Sequence, residues 1–262
     1  MRIDIVKLKI EALKIRRILV SQPEPDSEKS PYHELAEKNK IKVDFKEFIH
    51  VEPVPCKDFR AQKVDILTHT AVIFTSRTAI DHFFHLCEEM RIMIPDGMKY
   101  FCTSESVAFY LQKYIVYRKR KIFYGTNHFK DLLEIILKHR EEKYLLPLSD
   151  QHKNDIPDEL DRHKINYTKA IMYRTVCSDL SNFSTSDYDI IVFFSPSGIK
   201  SLVQNFPNFR QNNTYIAAFG PATHKAVQDA GLKLDIAAPN PQAPSMTMAI
   251  EQFIADHNKN HK

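Results

Sequence analysis

The chain gathers its apolar residues into short unbroken runs. Each run stops at a cluster of Ser, Thr, Gly or Pro, and apolar residues then resume at helical spacing. The sharpest case is Ile190-Ile191-Val192-Phe193-Phe194, followed by Ser195-Pro196-Ser197-Gly198. Five apolar residues in a row, several of them β-branched, predict a strand buried on both faces. Pro196 stands where a helix favours its first residue, so the segment reads as strand, turn and helix. Such a junction has two readings. The serine caps its own helix, or the free backbone N–H groups and the positive helix end hold an anion.

The same form recurs three times. Val72-Ile73-Phe74 runs into Thr75-Ser76-Arg77, Met98 to Cys102 into Thr103-Ser104-Glu105-Ser106, and Tyr215 to Phe219 into Gly220-Pro221-Ala222-Thr223. Aligning Ser76 with Ser195 and Phe101 with Phe219 needs nearly the same offset. That predicts a duplicated α/β unit, two similar domains rather than a short-period array.

Further strands are expected at 17–21, 41–48, 122–124, 143–148 and 234–237, and helices at 31–39, 57–67, 78–91, 129–139, 155–163 and 246–257. Ile49 to Pro55 is extended, because residues before proline avoid the helical region. Tyr167 to Val176 reads as another extended segment, and Gly125-Thr126-Asn127 as a tight turn into the helix at Phe129. Residues 1–15 read as an added strand or a frayed arm. Alternating strands and helices with short loops predict parallel sheets covered on both faces. In such sheets ligands sit outside the carboxyl ends of the strands, where every junction above lies. Two domains that turn those ends toward each other would line one cleft with backbone donors and hydroxyls.

Composition changes this picture little. A chain of 262 residues, 43% hydrophobic and 27% charged, has core enough without staples. Cys56, Cys87, Cys102 and Cys177 form no CxxC pair and no zinc spacing, which suits a reducing cytoplasm and no bound metal. His82 and His85, near Cys87, read as helix surface or satisfied core. The amino terminus is neither signal peptide nor span, and no apolar stretch reaches membrane length. A net charge of +4 fits an acidic small ligand and is too weak to argue for nucleic acid. The run Arg118-Lys119-Arg120-Lys121 is a solvated face or a cation patch for a polyanion. Without GxGxxG or a P-loop, a nucleotide site is not expected.

In order and spacing, these junctions resemble the uroporphyrinogen-III synthase family from about Arg17 to His257. The matching segments are Phe74-Thr75-Ser76, Tyr173-Arg174-Thr175, Phe194-Ser195-Pro196-Ser197-Gly198, Phe219-Gly220-Pro221-Ala222-Thr223, Gly231-Leu232 and Pro239-Asn240-Pro241-Gln242-Ala243. The resemblance implies two doubly wound, flavodoxin-like α/β domains joined by a two-stranded β-ribbon. One domain, 1–47 with 178–262, is discontinuous. The other, 54–169, is inserted, and 48–53 with 170–177 form the ribbon. It implies a monomeric, cytoplasmic lyase that cyclises the linear tetrapyrrole hydroxymethylbilane, losing water and inverting the terminal pyrrole, with no cofactor.

The residues alone leave Tyr173 as a half-buried aromatic of an extended segment; the resemblance makes it the proton donor. The implied substrate-binding set is Thr75, Ser76, Arg77, Thr103, Ser104, Gly125, Asn127, Ser195, Ser197, Gly198, Gly220 and Thr223. Helix N-termini and hydroxyls of this kind hold carboxylates without an arginine at each place.

Three positions depart from the family pattern. Ser21-Gln22-Pro23 replaces Thr-Arg-Pro, Glu105 stands where threonine is common, and Ser149-Asp150 replaces an Arg-Gly-like pair. Glu105 repels an anionic substrate unless it points away or is protonated. The competing expectation is a degenerate homologue that binds a tetrapyrrole or another polycarboxylate without turnover. A two-lobed small-molecule receptor is a more remote one.

Overall fold

The computed structural model describes residues 14–25, 30–126 and 128–260. Asn127 and nearly all of the amino-terminal arm lie outside them. Contacts divide the chain into two compact units, 1–50 with 176–262 and 51–175.

The first unit is built from β1 (Arg17–Val20), α1 (Pro31–Asn39) and β2 (Lys42–Phe45). The second holds most of β3 (Ile49–Pro53), then α2 (Cys56–Ala61), β4 (Ala71–Phe74), α3 (Arg77–Glu89), β5 (Lys99–Cys102) and α4 (Glu105–Tyr110). It continues with β6 (Ile122–Tyr124), α5 (Phe129–Leu137), β7 (Tyr144–Ser149), α6 (Asp155–Arg162) and most of β8 (Tyr167–Cys177). The chain then completes the first unit with β9 (Ile190–Phe193), α7 (Pro196–Asn205), β10 (Tyr215–Phe219), α8 (Pro221–Asp229), β11 (Ile236–Ala238) and α9 (Met246–Asn260).

The first unit's sheet has the order β11-β10-β9-β1-β2, and every pair in it is parallel. The second unit's sheet has the order β3-β8-β7-β4-β5-β6, parallel from β8 to β6. Both are doubly wound, as expected. The flavodoxin-like order is that of the first unit, where the chain reverses after two strands. In the second unit it lays down β4, β5 and β6 in one direction before returning to β7 and β8, which is the other common doubly wound order. β3 and β8 run in opposite directions: the Ser178 N–H donates to Phe48 and the Val54 N–H to Met172. Both passages of the chain between the units run through this pair.

The apolar runs fold as strands because each face of each sheet meets its own core. Along β9, Ile190 and Val192 pack with Ile18, Val20 and residues of α9 such as Ile250. Ile191 and Phe193 pack with Leu19, Phe48 and residues of α7 such as Leu202. Along β4, Val72 and Phe74 pack with Ile80, Phe83 and Cys87 of α3, while Ala71 and Ile73 pack with Leu132 and Ile136 of α5. Successive side chains point to opposite faces, so strands covered on both sides need every position apolar.

Two segments differ from expectation. The helix expected over 57–67 stops at Ala61. Lys63 takes a left-handed conformation (φ 55°), and Asp65 accepts the Leu67 N–H at 2.9 Å to start a separate turn at Ile66–Thr68. The strand expected to reach Phe48 ends at Phe45. Its one partner among the described residues, β1, ends there too, with Val20 opposite Phe45, and Phe48 is drawn fully into the core beneath α7. The basic run 118–121 forms a turn with Arg118, Lys119 and Arg120 exposed.

The α3-side core holds three titratable groups away from water. Burial pushes the Cys87 thiol, the Cys102 thiol and the Tyr100 phenol each up to about 12. In the unfolded chain thiols titrate near about 8.5 and phenols near about 10. Between those values and 12 the unfolded chain has lost protons that the folded chain keeps, so stability falls as pH rises. Urea unfolding at about pH 7.5 and about pH 10 is expected to show this loss. Cys102→Ala should flatten the slope by up to about 1.4 kcal/mol per pH unit.

Candidate functional site

In a doubly wound sheet, a crevice opens at the carboxyl edge where the strand order reverses and the flanking helices leave on opposite sides. In the second unit that point lies between β4 and β7. β4 empties into Thr75 and Ser76. The Thr75 carbonyl accepts from the Thr103 hydroxyl at 3.2 Å, and extended Ser76 caps α3, its Oγ accepting the Ala79 N–H at 3.1 Å. β7 empties into Ser149, whose carbonyl lies 2.8 Å from His152 Nδ1. A cleft of about 340 Å³ opens here, lined by Thr75, Ser76, Ser149, His152, Lys153 and Tyr173 among others.

A bulge places Tyr173 in this cleft. Leu148 pairs with Ile171, but Ser149 pairs with Tyr173, so β8 carries one extra residue at Met172. Met172 and Tyr173, consecutive in a strand, therefore both pack on the α3 side of the sheet. Burial raises the phenol above the ordinary tyrosine value, while the Ser76 hydroxyl favours its charged form and opposes the rise. The His82 ring stacks on the Tyr173 ring, with centroids 5.1 Å apart and planes 16° apart. Burial lowers the His82 pKa, so the imidazole is neutral at neutral pH. On the adjoining position of α3, Asp81 accepts from the hydroxyls of Tyr110 and Tyr114 and from Lys113 Nζ at 2.9 Å. Three donors converging on one carboxylate tie α3 to the end of α4 and the segment that follows it.

The other second-unit residues sit at neighbouring strand ends. Arg77, the first residue of α3, is exposed, with its guanidinium 5.4 Å above the Tyr110 ring. Ser104 caps α4, accepting the Val107 N–H at 3.4 Å. Gly125 is wedged at the end of β6, where an added Cβ would lie 3.0 Å from the Leu132 nitrogen. Glu105 is exposed and accepts from the Tyr124 hydroxyl at 3.2 Å. Asn127 lies outside the described residues.

The first unit repeats the design at its own reversal, between β1 and β9. Ser195 caps α7, accepting the Gly198 N–H at 3.3 Å. A Cβ on Gly198 would meet the Phe193 ring at 3.2 Å and Ser21 Oγ at 3.7 Å, so the ends of β1 and β9 converge on this glycine. Ser197 is half-buried beside it. Gly220 opens α8 at φ 87° with no side-chain cap, which leaves the first amides of that helix uncovered by a side chain at their start. Thr223 is 2% exposed, so its side chain is sealed within the fold rather than offered at the surface.

The structure thus gathers Thr75, Ser76 and Tyr173, with Thr103 one contact away. It adds His82, His152 and Lys153, which sequence reasoning did not select. No spacing could have found them: His82 sits within an ordinary amphipathic helix, and His152 and Lys153 in a polar loop.

Two doubly wound α/β units, each with hydroxyls and helix starts at the reversal of its strand order, define a protein class suited to anionic ligands. The uroporphyrinogen-III synthase HemD family matches residues 30–248, and the chain belongs to that family. Its fold is similar to that of uroporphyrinogen-III synthetase from Helicobacter pylori, at 17% identity and a TM-score of 0.53, covering 92% of this chain and 99% of that one. A mutant uroporphyrinogen III synthase from Thermus thermophilus aligns at 12% identity and a TM-score of 0.47, covering 94% of this chain and 99% of that one. No curated protein sequence matches at a significant level.

Ser76 serves both its helix and the phenol. Ser76→Ala is expected to cost about 1 kcal/mol in denaturant unfolding through the lost cap. It should also raise the Tyr173 phenol further, a shift readable as a later onset of phenolate absorbance than in the native protein.

Proposed function

We propose that the protein is a uroporphyrinogen-III synthase, which cyclises hydroxymethylbilane with loss of water and inversion of the terminal pyrrole. Family membership supports the reaction class. The observation that carries the reading is the Tyr173 phenol, kept protonated by burial and facing the Ser76 hydroxyl in the cleft at the β4–β7 reversal.

A hydroxymethyl group leaves only if its oxygen is protonated as the C–O bond breaks. Tyr173 supplies that proton, and the oxygen departs as water with the bonding electrons. The pyrrole nitrogen feeds its lone pair into the electron-poor carbon. The substituted α-carbon of the terminal pyrrole attacks that carbon, its old bond to the neighbouring methylene bridge breaks, and the freed methylene bonds to the pyrrole's other α-carbon, so two C–C bonds form, one breaks and the ring ends turned. The proton shed by that pyrrole returns to the phenolate, so the site ends as it began. The reaction as proposed draws on protonation and on holding the chain folded, without a cofactor.

We assign the substrate's carboxylates to donors at the strand ends. In the second unit these are Thr75, Arg77, Thr103 and Ser104, with Lys153 in the cleft itself. The first unit carries groups of the same kind at Ser195, Ser197 and the open start of α8 at Gly220. Thr223, being sealed, acts by shaping the turn at Gly220, whose carbonyl accepts its backbone N–H at 3.1 Å. We place the protein in the reducing cytoplasm on its four free thiols, Cys56, Cys87, Cys102 and Cys177.

Incubation with hydroxymethylbilane and separation of the products by isomer tests the reading. The type III product is expected, and the spontaneous type I ring alone would refute it. Tight binding of a porphyrinogen without turnover would instead identify a non-catalytic tetrapyrrole binder. Tyr173→Phe is expected to lower turnover on the order of 10²-fold, the usual worth of a positioned proton donor, with substrate binding retained. Unchanged type III formation across pH would remove Tyr173 from the mechanism.

A further inference from the structure

We infer that His82 is a positioning residue for Tyr173: its ring is the wall that fixes the plane of the phenol in the cleft. The inference rests on the proposed cyclisation, in which Tyr173 gives up the proton. A phenol turns about two side-chain bonds, and a proton donor must point its O–H along one line. Both restraints on Tyr173 come from α3 and its cap, with Ser76 at the hydroxyl and His82 against the ring face, 5.1 Å away and 16° from parallel. The helix that supplies them is itself fixed by Asp81 through Tyr110, Tyr114 and Lys113.

The stack needs no charge. His82 is half-buried and neutral at neutral pH, so what it offers the phenol is a flat face and exclusion of water. The charged and titratable groups around the pair are Asp81 and His85 on α3, His152 and Lys153 after β7, and Asp155 at the start of α6. A phenylalanine at position 82 keeps the face; an alanine removes it and opens one side of the phenol to solvent. Alanine is also the better helix former, so its effect is not loss of α3.

The test compares His82→Phe with His82→Ala in two readouts. With hydroxymethylbilane as substrate, His82→Ala is expected to lower kcat about ten- to a hundred-fold with KM unchanged, because a misaimed donor loses the chemical step and no carboxylate contact. His82→Phe should restore kcat to within about two-fold of native on the same ground. The second readout is the Tyr173 phenol titration, followed by phenolate absorbance and assigned by difference against Tyr173→Phe. It should fall toward the ordinary tyrosine value in His82→Ala and stay raised in His82→Phe. An unchanged kcat in His82→Ala, or equal loss in both variants, would overturn the inference. So would a phenol titration that ignores both substitutions. Because the titration needs no turnover, it judges His82 even where the isomer assay rejects the reaction.

Discussion

Everything distinctive in this structure follows from burying parallel strands on both faces. A strand such as β4 or β9 has no side-chain position left for a polar group, because alternate residues enter the cores on either side of the sheet. Polar chemistry is therefore confined to the strand ends. At the carboxyl ends it meets the starts of the following helices, where backbone N–H groups lack partners. Ser76 and Ser195 stand at those ends and satisfy one such donor each. What remains unsatisfied there is the raw material of an anion site.

Strand order decides which of these ends becomes a crevice. In the second unit the reversal falls between β4 and β7, and the cleft that holds Tyr173 lies there. A single extra residue in β8 then sets what enters it. Regular pairing would continue the alternation from Ile171, whereas the bulge turns Met172 and Tyr173 onto one side. The phenol arrives among groups that bury it and beside one hydroxyl that steadies its charged form.

Much of this was legible in the chain. The runs Ala71–Phe74 and Ile190–Phe193 could be bounded from their residues because strands covered on both faces have no polar interruptions and end at Ser or Thr. Ser30-Pro31, Ser195-Pro196 and Gly220-Pro221 gave helix starts because each pairs a residue fit to precede a helix with a proline fit to begin one. The region 57–67 misled, because nothing in its composition announces the left-handed turn at Lys63. Phe48 misled for another reason. The alternation Ile41/Val43/Phe45 breaks at Glu47, and the partner strand has already ended.

By itself, then, the sequence determined the local elements, the α/β class and the chemistry available at the strand ends. Those depend on neighbours along the chain: apolar runs, caps, prolines and glycines. It also supplied Thr75, Ser76 and Tyr173 as candidates through their resemblance to a family. Only the tertiary structure decided the strand order of the second unit, the bulge that re-aims Tyr173, and the placing of His82 against its ring. Those are matters of which distant segments meet and in what register. Such pairings are settled by packing over the whole sheet, and they leave no trace in the spacing of residues.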